Sequence, residues 1–214
     1  MTPQQASAET RRLCGLAPVI PVLVIEDAAR AEGLARALIE GGLPVLEVTL
    51  RTPAALDAIA AMAGVPGGVV GAGTVLTPAD VEAAKAAGAG FAVAPGATPR
   101  LLGACEDADL PLLPGAATAS EAMALLERGY DMLKFFPAEA AGGAKALKAI
   151  GAPLPQITFC PTGGITSETA ADYLSLPNTL CVGGSWVAPK DAVEAGDWGR
   201  ITDLARQAAG LARG

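Results

Sequence analysis

The chain has 214 residues, of which 51% are hydrophobic and 17% charged, and its formal net charge is −7. This length predicts one domain, residues 1–214, with a core large enough to fold without disulfides. The negative charge argues against nucleic acid or an anionic membrane surface as a partner, so an anionic substrate needs a local cationic pocket. The absence of histidine excludes a Ser-His-Asp triad and histidine general-base catalysis.

The cysteines are far apart in the sequence and form no CxxC pair. They are Cys14, Cys105, Cys160 and Cys181. This spacing predicts neither a disulfide framework nor a zinc site, and we expect no metal. Arg11 and Arg12 precede an apolar stretch at residues 13–25, but prolines interrupt it and it is shorter than the roughly 20 residues that span a bilayer. We therefore expect a cytoplasmic protein.

A repeated strand-and-helix unit follows a leading segment, residues 3–15, which we expect to be an extra N-terminal helix. Short apolar runs recur at intervals of roughly 20–25 residues, each followed by an Ala-rich amphipathic segment. They cover residues 19–25, 45–50, 69–73, 91–94, 111–114, 132–136, 156–161 and 180–183. The pattern predicts an α/β protein, a compact (β/α)8 TIM barrel. A doubly wound open sheet is the alternative, because periodicity alone does not separate the two.

Local signals mark where several helices begin and end. Thr-Pro pairs at Thr52, Thr77 and Thr98 place an N-cap hydroxyl before a proline suited to the first helical position. Residues 118–121 (TASE) form a capping box, and glycines at 41–42 and 88 indicate helix ends. Residues 71–73 (GAG) lack the third glycine of a dinucleotide fingerprint, so we expect no NAD or other cofactor.

The second predicted strand carries two charged side chains on one face. Side chains alternate along a strand, so Glu47, Thr49 and Arg51 face away from the aliphatic residues between them. The aliphatic face must pack on helices, which directs Glu47 and Arg51 into the mouth of a barrel, where barrel enzymes keep their active sites. The alternative is that the two form only a structural ion pair.

Lys134 lies in the sixth run, among aliphatic and aromatic residues. The other lysines fall on Ala-rich helical segments or, for the last, in a loop: Lys85, Lys145, Lys148 and Lys190. Lysine is rarely buried without a reason. An apolar pocket can bring the pKa of a catalytic lysine from about 10.4 to roughly 7–8, which yields a reactive amine. The pattern predicts a nucleophile; the alternative is a lysine that reaches solvent or pairs permanently with Glu47.

Glycine-rich segments follow the last two predicted strands, at residues 161–165 (PTGGI) and 182–186 (VGGSW). Barrels often bind phosphate in these two loops through backbone N–H groups, to which Thr162 and Ser185 can add hydroxyl donors. The alternative is that the glycines serve only to form tight turns. This would readily explain one glycine-rich loop, but it is a weaker explanation for two.

Five motifs in a fixed order resemble the KDPG (2-dehydro-3-deoxy-phosphogluconate) aldolase family, whose members often also act on 4-hydroxy-2-oxoglutarate. The motifs are 46–51 (LEVTLR), 71–75 (GAGTV), 134–139 (KFFPAE), 159–164 (FCPTGG) and 183–186 (GGSW). The resemblance runs from residues 18–21 to the last helix. It implies a metal-independent class I (Schiff-base) aldolase, a lyase of the Entner–Doudoroff pathway on a (β/α)8 barrel, usually a homotrimer.

The resemblance also implies a mechanism. Lys134 matches the Schiff-base lysine and would attack the C2 ketone of 2-dehydro-3-deoxy-6-phosphogluconate. Glu47 matches the general acid/base and would take the C4 hydroxyl proton as the C3–C4 bond breaks and glyceraldehyde 3-phosphate departs. A proton returned to C3 and hydrolysis would then release pyruvate. The same route would convert 4-hydroxy-2-oxoglutarate to pyruvate and glyoxylate.

Substrate contacts are implied in the same way. Arg51, Thr74 and Pro95 match positions around the keto-acid carboxylate, and Phe136 matches an aromatic residue beside the lysine. The positions that match the phosphate site are Thr162, Gly163, Gly164, Gly184 and Ser185.

Three other functions stay open. An aldolase for the galactonate epimer resembles this chain less, mainly around residues 161–164. A phosphosugar isomerase would share the phosphate loops without needing a buried lysine. A non-catalytic barrel that binds a phosphorylated ligand would leave Lys134 inert.

Overall fold

A computed structural model describes residues 1–212 as an α/β fold with parallel strands. Within these residues the strands are β1 (Val19–Leu23), β2 (Val45–Thr49), β3 (Val69–Gly73), β4 (Ala92–Val93), β5 (Leu112–Leu113), β6 (Gly115–Ala116), β7 (Met132–Phe135), β8 (Thr158–Pro161) and β9 (Val182–Gly184). The helices are α1 (Pro3–Cys14), α2 (Ala31–Glu40), α3 (Ala55–Ala63), α4 (Pro78–Ala86), α5 (Pro99–Asp107), α6 (Ala119–Arg128), α7 (Gly143–Gly151), α8 (Ala170–Leu174), α9 (Lys190–Ala195) and α10 (Trp198–Ala209). A 3-10 turn at Ala28–Arg30 precedes α2.

The strands form two parallel sheets. One has the order β5-β4-β3-β2-β1-β9, and the other has the order β6-β7-β8. In the first sheet β9, the last strand in the chain, pairs with β1, so the sheet curls and its most C-terminal strand lies beside its most N-terminal one. A doubly wound sheet instead reverses its strand order near the middle. The observed order has no reversal near its middle, which does not fit a doubly wound sheet.

Pro114 lies where the chain passes from one sheet to the other. The sequence predicts one strand over residues 111–114, but the structure has β5 before this proline and β6 after it. Proline has no N–H to donate to a ladder, which accounts for the interruption. Its carbonyl still accepts a 2.9 Å hydrogen bond from the backbone N–H of Lys134. At the other edge of the second sheet, an isolated parallel bridge joins Thr162 to Gly183.

Most strands are shorter than the apolar runs that predicted them. The run at 19–25 ends at Leu23, the run at 91–94 keeps two residues as β4, and the run at 156–161 begins at Thr158. Val24 is 49% exposed because the chain there has left the sheet for the loop that follows β1. The apolar runs therefore predict where the strands lie, but most of the runs are longer than the strands.

Helix α1 lies across the N-terminal ends of the strands, as the extra helix predicted at residues 3–15. Ser7 Oγ donates to the Asp131 carboxylate at 2.7 Å and accepts the backbone N–H of Met132 at 2.9 Å. Arg11 donates to the hydroxyl of Thr158, the first residue of β8, at 2.7 Å. These contacts fix α1 at the end of the strands opposite to the loops that follow them.

Three of the predicted N-caps are confirmed and one is wrong. Thr77, Thr98 and Thr118 each accept the backbone N–H three residues later. Thr52 does not cap α3, which begins at Ala55. Its hydroxyl instead donates to the carbonyl of Ile25, in the loop after β1. That long-range acceptor competes with the local cap.

Buried apolar side chains form two groups. The larger group fills the space between strands and helices. The smaller one lies largely on the opposite face of the strands and contains Leu13, Cys14, Ile20, Val45, Phe91, Val93, Leu113, Met132, Cys160 and Cys181. None of the helices in residues 1–212 is long and apolar enough to cross a membrane.

Candidate active site

A cavity of about 360 Å³ opens at the C-terminal ends of the strands, the end at which α/β barrels hold their active sites. Every site residue predicted from the sequence lines it: Glu47, Arg51, Thr74, Pro95, Lys134, Phe136, Thr162, Gly163, Gly164, Gly184 and Ser185. The structure thus brings together residues from six separate strands or the loops after them. Sequence reasoning missed the apolar part of the lining, Val22, Val24 and Ile165, because aliphatic residues near strand ends carry no distinguishing signal.

A buried ion pair lies at the base of the cavity. Lys134 Nζ, on β7, is 3.1 Å from Glu47 Oε1 and 3.4 Å from Oε2, on β2. The lysine is 5% exposed and the glutamate 3%. The side chains predicted to act together do meet. The structural ion pair between Glu47 and Arg51 is not formed.

Gly73 creates the space that the Glu47 carboxylate occupies. The two residues lie on adjacent strands, where Glu47 pairs in register with Gly71 and Thr49 with Gly73. A Cβ atom at Gly73 would lie 2.3 Å from Glu47 Oε1, well inside van der Waals contact. Any larger residue would push the carboxylate away from Lys134.

Lys134 is set apart from the other lysines by its environment. Its Nζ lies 5.4 Å from the centre of the Phe136 ring, a cation–π contact. The remaining lysines are all exposed: Lys85, Lys145, Lys148 and Lys190. Lys190 begins α9 and pairs with Glu194, whereas the sequence had suggested a loop. Among residues 1–212, Lys134 is the one buried amine.

The rim carries a cation with no protein partner. Arg51 lies just beyond β2, is exposed, and makes no ion pair or side-chain hydrogen bond within residues 1–212. With Lys134 and Glu47 neutralising each other, Arg51 leaves the cavity with one net positive charge. A chain of net charge −7 therefore contains a locally cationic pocket, as binding of an anion requires.

Thr74 also lines the cavity and has a φ of +60°. A β-branched residue in this region costs about 1–3 kcal/mol, and such strain concentrates at functional sites. The residue directly follows β3, and its unusual backbone turns the chain into the lining of the cavity.

The two glycine-rich loops supply unpaired backbone donors. Gly163 and Gly164 have φ of 108° and 79°, values that L side chains rarely adopt. Their N–H groups, and that of Ser185, have no acceptor within the described part of the chain. Gly183 has no room for a Cβ, which would lie 2.3 Å from Thr162 Oγ1. Free N–H groups on two adjacent loops can bind an anion such as phosphate.

A cluster of thiols lies below the ion pair, and the sequence gave no sign of it. The sulfur atoms of Cys14, Cys160 and Cys181 lie within 4.8 Å of one another, and all three residues are buried. Cys160 pairs in register with Lys134. Hydrogen bonds from Cys14 and Cys181, together with the Lys134 ammonium, hold the pKa of the Cys160 thiol well below its usual range. The cavity above these thiols, by contrast, has one carboxylate in its lining, that of Glu47.

Comparison with known proteins gives a family match over most of the chain. Residues 11–204 match the family described as "KDPG and KHG aldolase". The 2-dehydro-3-deoxy-phosphogluconate aldolase of Pseudoalteromonas atlantica is 57% identical over 198 residues, which cover 92% of either chain.

Two solved structures are similar along nearly their whole length. The 2-keto-3-deoxy-6-phosphogluconate aldolase of Zymomonas mobilis ZM4 with 3-phosphoglycerate is 50% identical, with a TM-score of 0.93 over 97% of this chain and 98% of that one. The KDPG aldolase of Legionella pneumophila, with pyruvate captured as a covalent carbinolamine, is 48% identical, with a TM-score of 0.90 over 94% and 98%.

Proposed function

The chain belongs to the family of KDPG and KHG aldolases, and from that premise we propose that it cleaves 2-dehydro-3-deoxy-6-phosphogluconate through an imine on Lys134. The products are pyruvate and glyceraldehyde 3-phosphate. The observation that carries the proposal is the buried contact of 3.1 Å between Lys134 and Glu47 at the base of a cationic cavity. The covalent carbinolamine of the Legionella relative supports the same chemistry.

Lys134 is proposed as the nucleophile. An ammonium must lose a proton before it attacks a ketone, and the Glu47 carboxylate lies close enough to accept it. The free amine then adds to C2 of the substrate, and loss of water gives a protonated imine. That cation draws electrons from the C3–C4 bond, so the bond can break without a metal.

Glu47 is proposed as the general acid and base. Glu47 first returns the proton it took from the ammonium to the hydroxyl of the carbinolamine, which leaves as water. The regenerated carboxylate can then take the proton of the C4 hydroxyl. The C3–C4 bond then breaks, the aldehyde departs, and an enamine remains on Lys134. Protonation of its C3 by Glu47, directly or through water, followed by hydrolysis, frees pyruvate. Positioned proton transfer of this kind contributes about 10²–10⁴-fold to a rate.

Binding of the two ends of the substrate is assigned to the two polar regions of the cavity. We assign the keto-acid carboxylate to Arg51, Thr74 and Pro95, because Arg51 is the unpartnered cation of the rim. We assign the phosphate to the free N–H groups of Gly163, Gly164 and Ser185, at the position that Gly184 also lines, with hydroxyls from Thr162 and Ser185. The Zymomonas structure, which holds 3-phosphoglycerate, supports a phosphate site in this fold.

The smaller substrate 4-hydroxy-2-oxoglutarate is included in the proposal, because the family description covers KHG as well as KDPG aldolases. It carries no phosphate and would use the ion pair and the carboxylate site alone, yielding pyruvate and glyoxylate.

The wider setting is also proposed. We propose that the two sheets together form a closed (β/α)8 barrel, since a bridge joins Thr162 to Gly183 and the chain runs directly from β5 to β6. The whole chain would then be one catalytic domain that assembles as a homotrimer. A cytoplasmic location is supported by the four cysteines, all free thiols, which persist in reducing compartments.

Trapping with pyruvate and borohydride tests the assignment of Lys134. Reduction converts an imine into a stable secondary amine, so the parent should gain one pyruvyl group per chain, mapped to Lys134. Lys134→Met should gain none and should not cleave KDPG. Lys148→Met, which removes an exposed lysine of α7, is the matched control and should behave as the parent.

The same experiment separates the alternatives. An isomerase or a non-catalytic binding barrel would form no adduct at Lys134, and label at an exposed lysine would overturn the assignment. The galactonate epimer is tested by comparing kcat/KM for the two six-carbon substrates. A larger value for the galactonate compound would replace the gluconate assignment while leaving the imine mechanism intact.

A further inference from the structure

We propose that Cys14, Cys160 and Cys181 form a binding site for a soft, thiophilic cation such as Zn²⁺ or Cu⁺. The site lies below the catalytic cavity, and none of its three thiols lines that cavity. The proposal does not depend on the proposed function. It is built by three distant parts of the chain: the last residue of α1, the middle of β8, and the residue before β9.

The geometry of the three sulfur atoms fits a metal ion closely. They lie within 4.8 Å of one another. A Zn–S bond is about 2.3 Å long, which places the sulfurs of a tetrahedral or trigonal site roughly 3.8–4.0 Å apart. A contraction of less than about 1 Å would therefore complete the coordination, which small side-chain rotations can supply. Three converging thiols are a donor set that selects soft cations over Mg²⁺ or Ca²⁺.

Three thiolates form an anionic site, which suits a cation. Zn²⁺ displaces the protons that the thiols carry and leaves a complex with one negative charge. The neighbouring Lys134–Glu47 pair adds no net charge, because its two groups neutralise each other. Most of the surrounding interior side chains are apolar, and Met132 adds a thioether, itself a soft donor. The hydroxyl of Thr162 lies 3.9 Å from the Cys160 sulfur. The apolar side chains would exclude water and hard anions that compete for the ion.

The outer side of α1 is where an ion could approach the thiols. A surface hollow of about 590 Å³ is lined by Gly15, Leu16 and Leu180, which directly follow Cys14 or precede Cys181. Fraying of the end of α1 would open this hollow onto the thiols. The catalytic cavity lies at the other end of the strands, so the ion need not pass the substrate site.

A bound ion would act as a structural link. It would tie α1 to β8 and β9 at the floor of the fold, in addition to the polar contacts at Ser7 and Arg11 and the packing of the buried face of the helix. Because the unfolded chain does not hold the three thiols together, binding should raise the unfolding temperature. At a hundredfold excess over Kd, the rise expected for a chain of this size is about 5–10 °C.

Titration of the reduced full-length protein with Cd²⁺ tests the site. We expect one ion per chain, seen as thiolate-to-metal charge-transfer absorption in the ultraviolet, and a matching rise in Tm. Cys14→Ala and Cys181→Ala should each weaken Cd²⁺ binding by about 100-fold or more, since even loss of an outer-shell partner costs 10–100-fold. Cys105→Ala removes the buried thiol outside the cluster and should bind as the parent does.

Several results would overturn the site. They are a folded parent that shows no charge-transfer band, a Cys14→Ala variant that binds as tightly as the parent, or equal weakening by Cys105→Ala. If the cluster variants do not fold, X-ray absorption on Cd²⁺-loaded parent decides the matter. Three sulfur neighbours around the metal are expected, and one or none would disprove the site.

Discussion

Substitution of Gly73 by alanine should disable catalysis without touching a catalytic side chain. The new Cβ would lie 2.3 Å from Glu47 Oε1 and 2.7 Å from its Cγ. The carboxylate must move by about 1 Å or more to restore ordinary contact. Its 3.1 Å contact with Lys134 would then be lost. Displacement of a reacting group by about 1 Å can cost roughly 10²-fold, and loss of a positioned base costs 10²–10⁴-fold. We expect kcat for KDPG cleavage to fall within that span.

The assay couples pyruvate release to lactate dehydrogenase and compares three proteins. Gly96→Ala is the matched control, because a Cβ there meets nothing within 4 Å although its neighbour Pro95 lines the cavity. It should keep the parental kcat. Overpacking at Gly73 costs about 1–3 kcal/mol, which corresponds to a fall in Tm of roughly 2–12 °C, so the variant should remain folded at 25 °C.

The pattern of kinetic constants distinguishes displacement of Glu47 from general damage. KM for the phosphorylated substrate should change little in Gly73→Ala, since the phosphate loops lie on other strands. A folded Gly73→Ala protein with parental kcat would refute the reasoning, and so would an equal loss of kcat in Gly96→Ala.

Three further predictions follow from the same contacts. Glu47→Gln should lower the rate about 10²–10⁴-fold while pyruvate can still be trapped on the lysine, and near-parental cleavage would leave Glu47 a structural role only. Ser185→Ala should lower kcat/KM for the phosphorylated substrate more than for 4-hydroxy-2-oxoglutarate, and equal losses would contradict the phosphate assignment. Hydrogen bonds from Arg128, outweighing burial, lower the pKa of Glu106. The contribution of the ionised Glu106 carboxylate to folding stability is therefore present above about pH 4.3. It is lost as the pH falls through the lowered pKa of Glu106. We expect the free energies of unfolding of the parent and of Glu106→Gln to differ at pH 7 and to converge towards pH 3. A difference between the two free energies that stays constant from pH 3 to 7 would contradict the linkage.

The elements that the sequence predicts well are those set by neighbouring residues. Thr118 caps α6 because its partner Glu121 is three residues away, and the extra helix at residues 3–15 follows from its own composition. Thr52 has the same local signal and fails, because Ile25, in the loop after β1, supplies the acceptor for its hydroxyl. Local rules hold until a tertiary partner competes for the same atom.

The candidate site was predictable for a different reason. Polar residues in apolar strands are costly to bury, so Glu47 and Lys134 stand out, and the alternation of a strand fixes the face they occupy. The cysteines carry no such signal, since a thiol is an ordinary core side chain. Cys14 and Cys160 lie 146 positions apart, and only the packing of α1 under β8 brings them together. Sequence spacing detects metal sites built from one loop, and this cluster is not of that kind.

The composition of the cavity restricts how protons can move during the reaction. Its charged side chains are Glu47, Arg51 and Lys134. Arginine does not deprotonate in proteins, and the lysine nitrogen is bonded to substrate after the first step. Glu47 is thus the one charged group of the lining that can both accept and return a proton. At 3% exposure it exchanges little with bulk water, so the proton it takes from the C4 hydroxyl is retained near the enamine. The carboxylate that breaks the bond is then also the acid placed to protonate C3, and a chain without histidine needs no second catalyst for that step.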